Sequence, residues 1–415
     1  MEKIGKFYDI ISGYAFKSKD LKDVDDIPVV KIGNISNGKN IVRENLQYVS
    51  NDLLKINKKY HIEKGDVLIS LTGSHMNQPN SIVGRSCRSY DKQVYLLNQR
   101  AGKVLRKGDF SLDYIYYVLQ TKAMKEMIVC RAYGAANQVN VSPSSITDIK
   151  WNFPSVSAAN RIASILSTYD SLIENNTKRI RLLEKMAENL YKEWFVRFRF
   201  PGHEKVEMEN GLPKGWKVEK LGEWGINLDT GKRPKGGIDD SLKDGYPSLG
   251  AECIKELASF DYSSVRLVPK TFYDGLKRGK NTGNDILLYK DGAYIGKVTM
   301  FRDKFPYAHY AINEHVFFVS PKDKEYKNYL YFTLHQYEYF QLMQNLNRNA
   351  AQPGLSRGDV ERIKMVIPSW DIITLYNNKV EPILKVIFKL AKQNTLLTRQ
   401  RDLLLPRLIS GKLEV

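Results

Sequence analysis

The longest unbroken apolar pattern runs from residue 154 to 200, PSVSAANRIASILSTYDSLIENNTKRIRLLEKMAENLYKEWFVRFRF, without glycine and without proline after Pro154. Ile162, Leu166, Tyr169, Ile173, Asn176, Ile180, Leu183, Ala187, Leu190 and Trp194 follow one another in alternating steps of 4 and 3. That spacing keeps one seam on one face of a helix, as in paired helices, here with one polar interruption at Asn176. At 1.5 Å per residue, a helix of about 40 residues spans on the order of 60 Å. This exceeds the diameter of a small domain and suits a spacer or partner-binding rod better than a core helix. Pro201 and Gly202 predict its end.

Ahead of the helix, residues 1–153 alternate short β-like runs (27–32, 66–71 and 94–97) with loops such as GNISNGKN and TGSHMNQPNS. A helix is expected over 112–131, with Tyr116, Leu119, Ala123 and Met127 on one face. After the rod come a charged linker, 203–211, and a second mixed domain, 212–368. Its expected strands are 285–289, 298–301 and 315–319, and its expected helix is 326–344. Residues 369–415 return to a helical, Leu/Ile-rich pattern.

The two halves repeat. Tyr95-Leu96-Leu97-Asn98-Gln99-Arg100 matches Tyr310-Ala311-Ile312-Asn313-Glu314-His315, a period of about 215 residues. Gln138 then matches Gln352, Ile149-Lys150 matches Ile363-Lys364, Pro154-Ser155 matches Pro368-Ser369, and Asn176-Thr177 matches Asn394-Thr395. The second helix carries its own seam: Ile373, Tyr376, Val380, Ile383, Ile387, Leu390, Asn394 and Leu397. Pro382 predicts a break within it, since proline fits only a first turn. The expected fold class is α+β: two mixed α/β domains separated by two long antiparallel, coiled-coil-like helical regions in a pseudo-two-fold internal repeat. Asn176 and Asn394 either fix the register of that pair or mark a solvated gap.

Composition narrows the function. The formal net charge is +18 with a pI near 9.4, which favours a polyanionic partner. The basic residues are spread along the chain with no single basic amphipathic face, which points to nucleic acid rather than a membrane surface. No apolar run reaches 18 residues, and the N-terminus lacks a secretory core and cleavage site. Cys87, Cys130 and Cys253 form no CxxC pair, fitting a reducing cytoplasm and no structural zinc.

Three loop pairs recur at matching places: 71–85 with 290–297, 133–142 with 348–356, and 13–18 with 230–237. Asn and Gln can bond adenine bidentately, Arg can do so to guanine, and Lys and Ser suit phosphates. The candidate DNA contacts are Lys17, Thr72, Ser74, Asn77, Gln78, Arg85, Asn137 and Gln138 in the first domain. In the second they are Lys232, Arg233, Lys235, Lys290, Tyr294, Lys297, Arg348 and Gln352. Any one loop could be a solvated turn; their recurrence argues for a shared task. Fused, diverged halves would read two different half-sites, with the helices setting the gap.

Catalytic motifs are missing. The nearest approach to a GxxxxGK[ST] phosphate loop, residues 275–281 (GLKRGKN), fails at spacing and at its last residue. There is no GxGxxG after a strand, no [DN]PP[YF], no HExxH or His cluster and no GxSxG. Glu325-Tyr326-Lys327 reads as ordinary charge at the start of a helix. A self-contained methyltransferase or nuclease is therefore disfavoured; a helical adaptor that does not read DNA is the other alternative.

Residues 403–415 (LLLPRLISGKLEV), 190–202 (LYKEWFVRFRFPG), 212–222 (LPKGWKVEKLG) and 12–17 (SGYAFK) stand in the order found in one family. With them the chain resembles the specificity (S) subunit of bacterial type I restriction–modification systems. The resemblance implies two target-recognition domains, one per half of a split double-stranded DNA site. It implies an antiparallel helical spacer fixing the gap between half-sites, within which the spacing places Ile173, Asn176, Ile180, Leu183, Leu190, Ile387, Leu390, Asn394 and Leu397 on the seam. It further implies two docked methyltransferase (M) subunits that carry S-adenosylmethionine, and restriction (R) motor–nuclease subunits, held through them, that use ATP and Mg. No cofactor, metal or membrane is expected for this chain itself. A second helical region interrupted by Pro382 and shorter than the first is a departure, bearing on how symmetric the two docking surfaces are.

Overall fold

A computed structural model describes residues 1–36, 38, 40–74, 82–135, 138–346 and 354–415. The chain forms two compact units: Met1–Ser171 with Leu397–Val415, and Leu172–Leu396. Both boundaries fall inside long helices, so each unit owns a part of each helix. The fold is α+β.

In the first unit, Tyr8–Ser12, Ala101–Arg106, Val67–Ser70 and Ser86–Arg88 form an antiparallel sheet in that order. The pleat sends alternate side chains to opposite faces. Val67 and Ile69 join the core under the helices with Val104 and Ile115, while Leu68 packs with Cys87, Tyr95 and Leu97. A second sheet has the order Gln47–Val49, Ile27–Val30, Tyr95–Leu97, His61–Ile62, its central pair parallel.

The second unit repeats this plan. Ile226–Thr230, Val316–Pro321, Asn284–Tyr289 and Val298–Arg302 form the first sheet in the equivalent order. Tyr246–Leu249 pairs in parallel with Ala311–Ile312, as Ile27–Val30 does with Tyr95–Leu97. Even single bonds recur: Asn98 N–H donates to the Val30 carbonyl at 3.1 Å, and Asn313 N–H to the Leu249 carbonyl at 3.0 Å.

Several expected elements change at their ends. The helix over 112–131 is two, Leu112–Gln120 and Lys122–Val129. Thr121, in extended backbone, closes the first through its N–H and caps the second with its hydroxyl. The helix over 326–344 divides likewise into Lys327–Leu334 and Tyr337–Leu346. The 203–211 linker is folded: Met208–Glu209 pairs with Leu212–Pro213 across Asn210-Gly211, both at positive φ as a two-residue hairpin requires.

The first long helix is α-helical over Val156–Tyr191, continues as a π turn over Lys192–Val196, and stops before Phe198, at φ 57°. It therefore ends short of Pro201; the wider turn accompanies burial of the adjacent Trp194 and Phe195. The second runs unbroken over Trp370–Ile409, so Pro382 does not divide it, and its 40 residues nearly equal the first helix's 36 α-helical residues and five-residue π turn. Pro382 lies on the exposed face, as does Asn378, whose carbonyl loses its helical partner and is left to solvent.

The seam positions face inward. In the second unit, Ile180, Ala187, Tyr191 and Trp194 share one core with Tyr376, Val380, Ile387 and Leu390, and Trp194 meets Tyr376 at 6.0 Å. Asn176 Nδ2 donates to Asn394 Oδ1 at 3.0 Å, and Asn394 Nδ2 to Thr177 Oγ1 at 3.2 Å. The helices thus run antiparallel, and the asparagines form a polar register pair rather than a solvated gap. In the first unit, Ile162 and Leu166 pack with Leu408 and Ile409, and Arg401 Nη1 donates to Asp170 Oδ1 at 2.6 Å.

Candidate nucleic-acid interface

In the second unit, three sequence-distant loops converge on Glu314-His315. The 230–237 loop crosses the end of Ala311–Ile312 at Gly231, where a Cβ would lie 1.5 Å from the Ile312 carbonyl oxygen; only glycine passes. Thr230 Oγ1 donates to the Val316 carbonyl at 3.2 Å, and Arg233 Nε lies 3.0 Å from Glu314 Oε1. From 290–297, Lys290 N–H donates to the His315 carbonyl at 3.0 Å, and its ammonium donates to the Glu314 carbonyl at 3.1 Å. His315 Nδ1 is 3.2 Å from Asp291 Oδ2. The third stretch joins through Leu355 N–H, which donates to the Lys290 carbonyl at 2.9 Å.

The first unit builds the same edge from other residues. Tyr14 N–H donates to the Leu97 carbonyl at 2.8 Å, holding the 13–18 loop. Leu71 N–H donates to the Arg100 carbonyl at 3.1 Å, and Val141 N–H to the Leu71 carbonyl at 2.9 Å. These match the Lys290–His315 and Leu355–Lys290 bonds, so Tyr14, Leu71 and Val141 come together around Gln99-Arg100. Tyr133–Ala135 and Gln138–Asn140 form a hairpin against Thr72–Gly73. Burial, followed by the neighbouring Arg85 guanidinium, holds the Lys125 ammonium below the usual lysine range.

Lys17, Gln138, Lys232, Arg233, Lys235 and Tyr294 are exposed on these loops, while Ser74 and Arg85 are half-buried. Thr72 is only 5% exposed, and its hydroxyl donates to Asn140 Oδ1 at 2.8 Å, tying two strands together. Lys290 and Lys297 are both engaged within the protein. Lys290 is engaged as described, and Lys297 Nζ lies 3.2 Å from Glu256 Oε1. Asn77, Gln78, Asn137, Arg348 and Gln352 lie outside the described residues.

The candidate set omitted Gln99 and Arg100, which are exposed, and Glu314 and His315, which anchor the second edge. The repeat itself was the signal for them, since they occupy its best-matched block. Among the described residues no group of three His, Cys, Asp or Glu side chains could hold a metal, and no helix is long and apolar enough to cross a membrane.

One α/β module, present twice with the same converging edge built from different side chains, and a pair of long helices define a duplicated recognition protein. The family model for the type I restriction modification DNA specificity domain matches residues 1–185 and 213–404, one match per repeat, and the chain belongs to that family. It is a DNA sequence-specificity subunit, a recognition component rather than a catalytic one. It is 27% identical over 340 residues to the type I restriction enzyme MjaIX specificity subunit of Methanocaldococcus jannaschii, covering 78% of this chain and 74% of that one. It is 22% identical over 330 residues to the HindI specificity subunit of Haemophilus influenzae, covering 65% and 70%. The crystal structure of the type I restriction–modification S subunit from M. genitalium shares the fold, with a TM-score of 0.56 at 17% identity over 98% of this chain and 95% of that one.

Proposed function

We propose that each unit reads one half of a split, asymmetric double-stranded DNA site, that the paired helices set the gap between the halves, and that the chain presents this site to methyltransferase subunits. The observation that carries this reading is the converging loop edge, present in both repeats with the same backbone bonds and different side chains. Gln99-Arg100 stands where the other repeat has Glu314-His315. Amide and guanidinium groups prefer different base edges from carboxylate and imidazole, so the two edges would select different sequences.

The docking part is supported by apolar side chains left uncovered on the helices. Leu182 and Met186 stand one turn apart on the first, and Leu375, Val386 and Leu396 are exposed on the second. Two M subunits carrying S-adenosylmethionine, with ATP- and Mg-dependent R subunits attached through them, complete the proposed complex. The cofactors belong to those partners.

The test inserts one heptad into each helix, within 178–190 and 380–392, keeping the seam in phase. Seven residues add about 10 Å, or about three base pairs at roughly 3.4 Å each. The expected result is a methylated motif with unchanged half-sites and a gap longer by about three base pairs. An unchanged gap refutes the spacer role.

A further inference from the structure

The stretch read as a failed phosphate loop, GLKRGKN, lies beside the proposed DNA edge of the second unit. Gly279 N–H donates to Asp229 Oδ2 at 2.6 Å, and the Gly279 carbonyl accepts from Ile312 N–H at 2.9 Å. A Cβ on Gly279 would lie 2.6 Å from Gly231 Cα. The turn bearing Lys277 and Arg278 is thus packed directly against the crossing point of the 230–237 loop, with its Lys232, Arg233 and Lys235. Lys277 and Arg278 are exposed, and neither forms an ion pair among the described residues. Lys280 is committed elsewhere, donating to the Asp274 carbonyl at 2.9 Å and lying 5.0 Å from the centre of the Tyr273 ring.

The first unit has the same feature where no sequence match reveals it. His61 pairs with Leu96, and Lys280 bridges to Ala311. Leu96 and Ala311 are equivalent in the repeat, so His61 is the counterpart of Lys280. Counting back from each, Lys58-Lys59 corresponds to Lys277-Arg278, and Tyr60 to Gly279. The neighbouring contact is also conserved in kind: Tyr60 packs edge-on against Tyr14 at 5.6 Å, where Gly279 packs against Gly231. Tyr14 follows Gly13, the glycine that crosses the Leu97-Asn98 backbone in the first unit. Lys58 and Lys59 are exposed; Asn57 caps their turn, and Lys59 Nζ lies 4.9 Å from the Tyr60 ring centre. Nearby lysines are neutralised by acids, as Lys55 is by Asp52 and Lys270 by Asp244, whereas these pairs have no acidic partner among the described residues.

We infer that Lys58-Lys59 and Lys277-Arg278 are a duplicated phosphate clamp, one per unit, gripping the DNA backbone beside the loops that read bases. This rests on the DNA reading proposed above. Exposed cations without acidic partners release counterions from the DNA when they meet phosphates, giving affinity without sequence information. Fixing each pair to the crossing glycine's loop places that grip at a constant offset from the base-reading edge.

The test uses the full chain and two labelled duplexes, one carrying its methylated motif and one of scrambled sequence, titrated from 50 to 200 mM salt. Replacing either pair by glutamine (Lys58→Gln with Lys59→Gln, or Lys277→Gln with Arg278→Gln) should lower the slope of log affinity against log salt by about 2 on both duplexes. That makes the wild type about tenfold more salt-sensitive than the variant over this range. The preference for the motif duplex should stay unchanged, and Lys58→Arg with Lys59→Arg should keep the wild-type slope. An unchanged slope in the glutamine variants overturns the clamp. So does a loss confined to the motif duplex, which would make these residues base readers. A wild-type chain whose DNA binding ignores salt overturns the DNA reading beneath it as well.

Discussion

Replacing Arg401 by methionine should loosen the first unit where the two long helices meet. Asp170 is 6% exposed and accepts two hydrogen bonds at 2.6 Å, one from the Tyr117 hydroxyl and one from Arg401 Nη1. Methionine keeps most of the apolar stem but leaves a buried carboxylate with one neutral donor. Breaking a buried pair by removing one partner costs about 3–5 kcal/mol. The lower end applies here, because Tyr117 remains and the Arg401 side chain is itself 18% exposed. About 3 kcal/mol corresponds to roughly a 100-fold loss of protection if the helix ends open locally. Amide hydrogen exchange over 162–170 and 401–409 measures this without assuming that the two units unfold together. Adding Asp170→Asn should restore most of the protection, since an amide still accepts from Tyr117 and needs no counter-charge. A drop below fivefold in Arg401→Met, or no recovery in the double variant, would refute the reasoning.

Asn176→Leu should cost about 1–2 kcal/mol by leaving Asn394 Oδ1 without its donor, and Asn176→Leu with Asn394→Leu should recover it; thermal melting of the three proteins checks this. Burial, then the neighbouring Glu188 and Glu256 carboxylates, push the Glu184 carboxyl up to about 7 from an ordinary value of 4.5. A raised carboxyl makes the folded state hold its proton longer than the unfolded one, so stability is full below about 4.5, declines as pH rises, and reaches its floor above about 7. Glu184→Gln should therefore melt higher than wild type at pH 8 and at the same temperature near pH 4; equal melting points at pH 8 would contradict this.

The seam of the first helix was legible because spacing alone fixes which side chains share a face, and Ile162 through Trp194 are all buried or half-buried. Its end was not. Pro201 and Gly202 are local stop signals, but tertiary packing of Trp194 and Phe195 ends the helix earlier. Pro382 shows the converse: a strong local breaker is overridden where its freed carbonyl faces solvent and its neighbours Val380 and Leu384 are fully buried. The loops of the converging edge were singled out by composition and recurrence. Which of their side chains are spent internally was not legible, because the hydroxyl of Thr72 and the ammonium of Lys290 are claimed by residues 68 and 24 positions away. The basic pairs at 58–59 and 277–278 escaped for a related reason: their equivalence appears only through the strand pairings that follow them.

Two different recognition edges on one chain would specify a two-part DNA site. Modification-sensitive sequencing of the host genome, with and without this chain, tests this most directly. The expected result is adenine methylation at an asymmetric motif of two unlike half-sites separated by a fixed gap, lost when the chain is removed. A motif that persists without the chain, or a single uninterrupted palindrome, would contradict it.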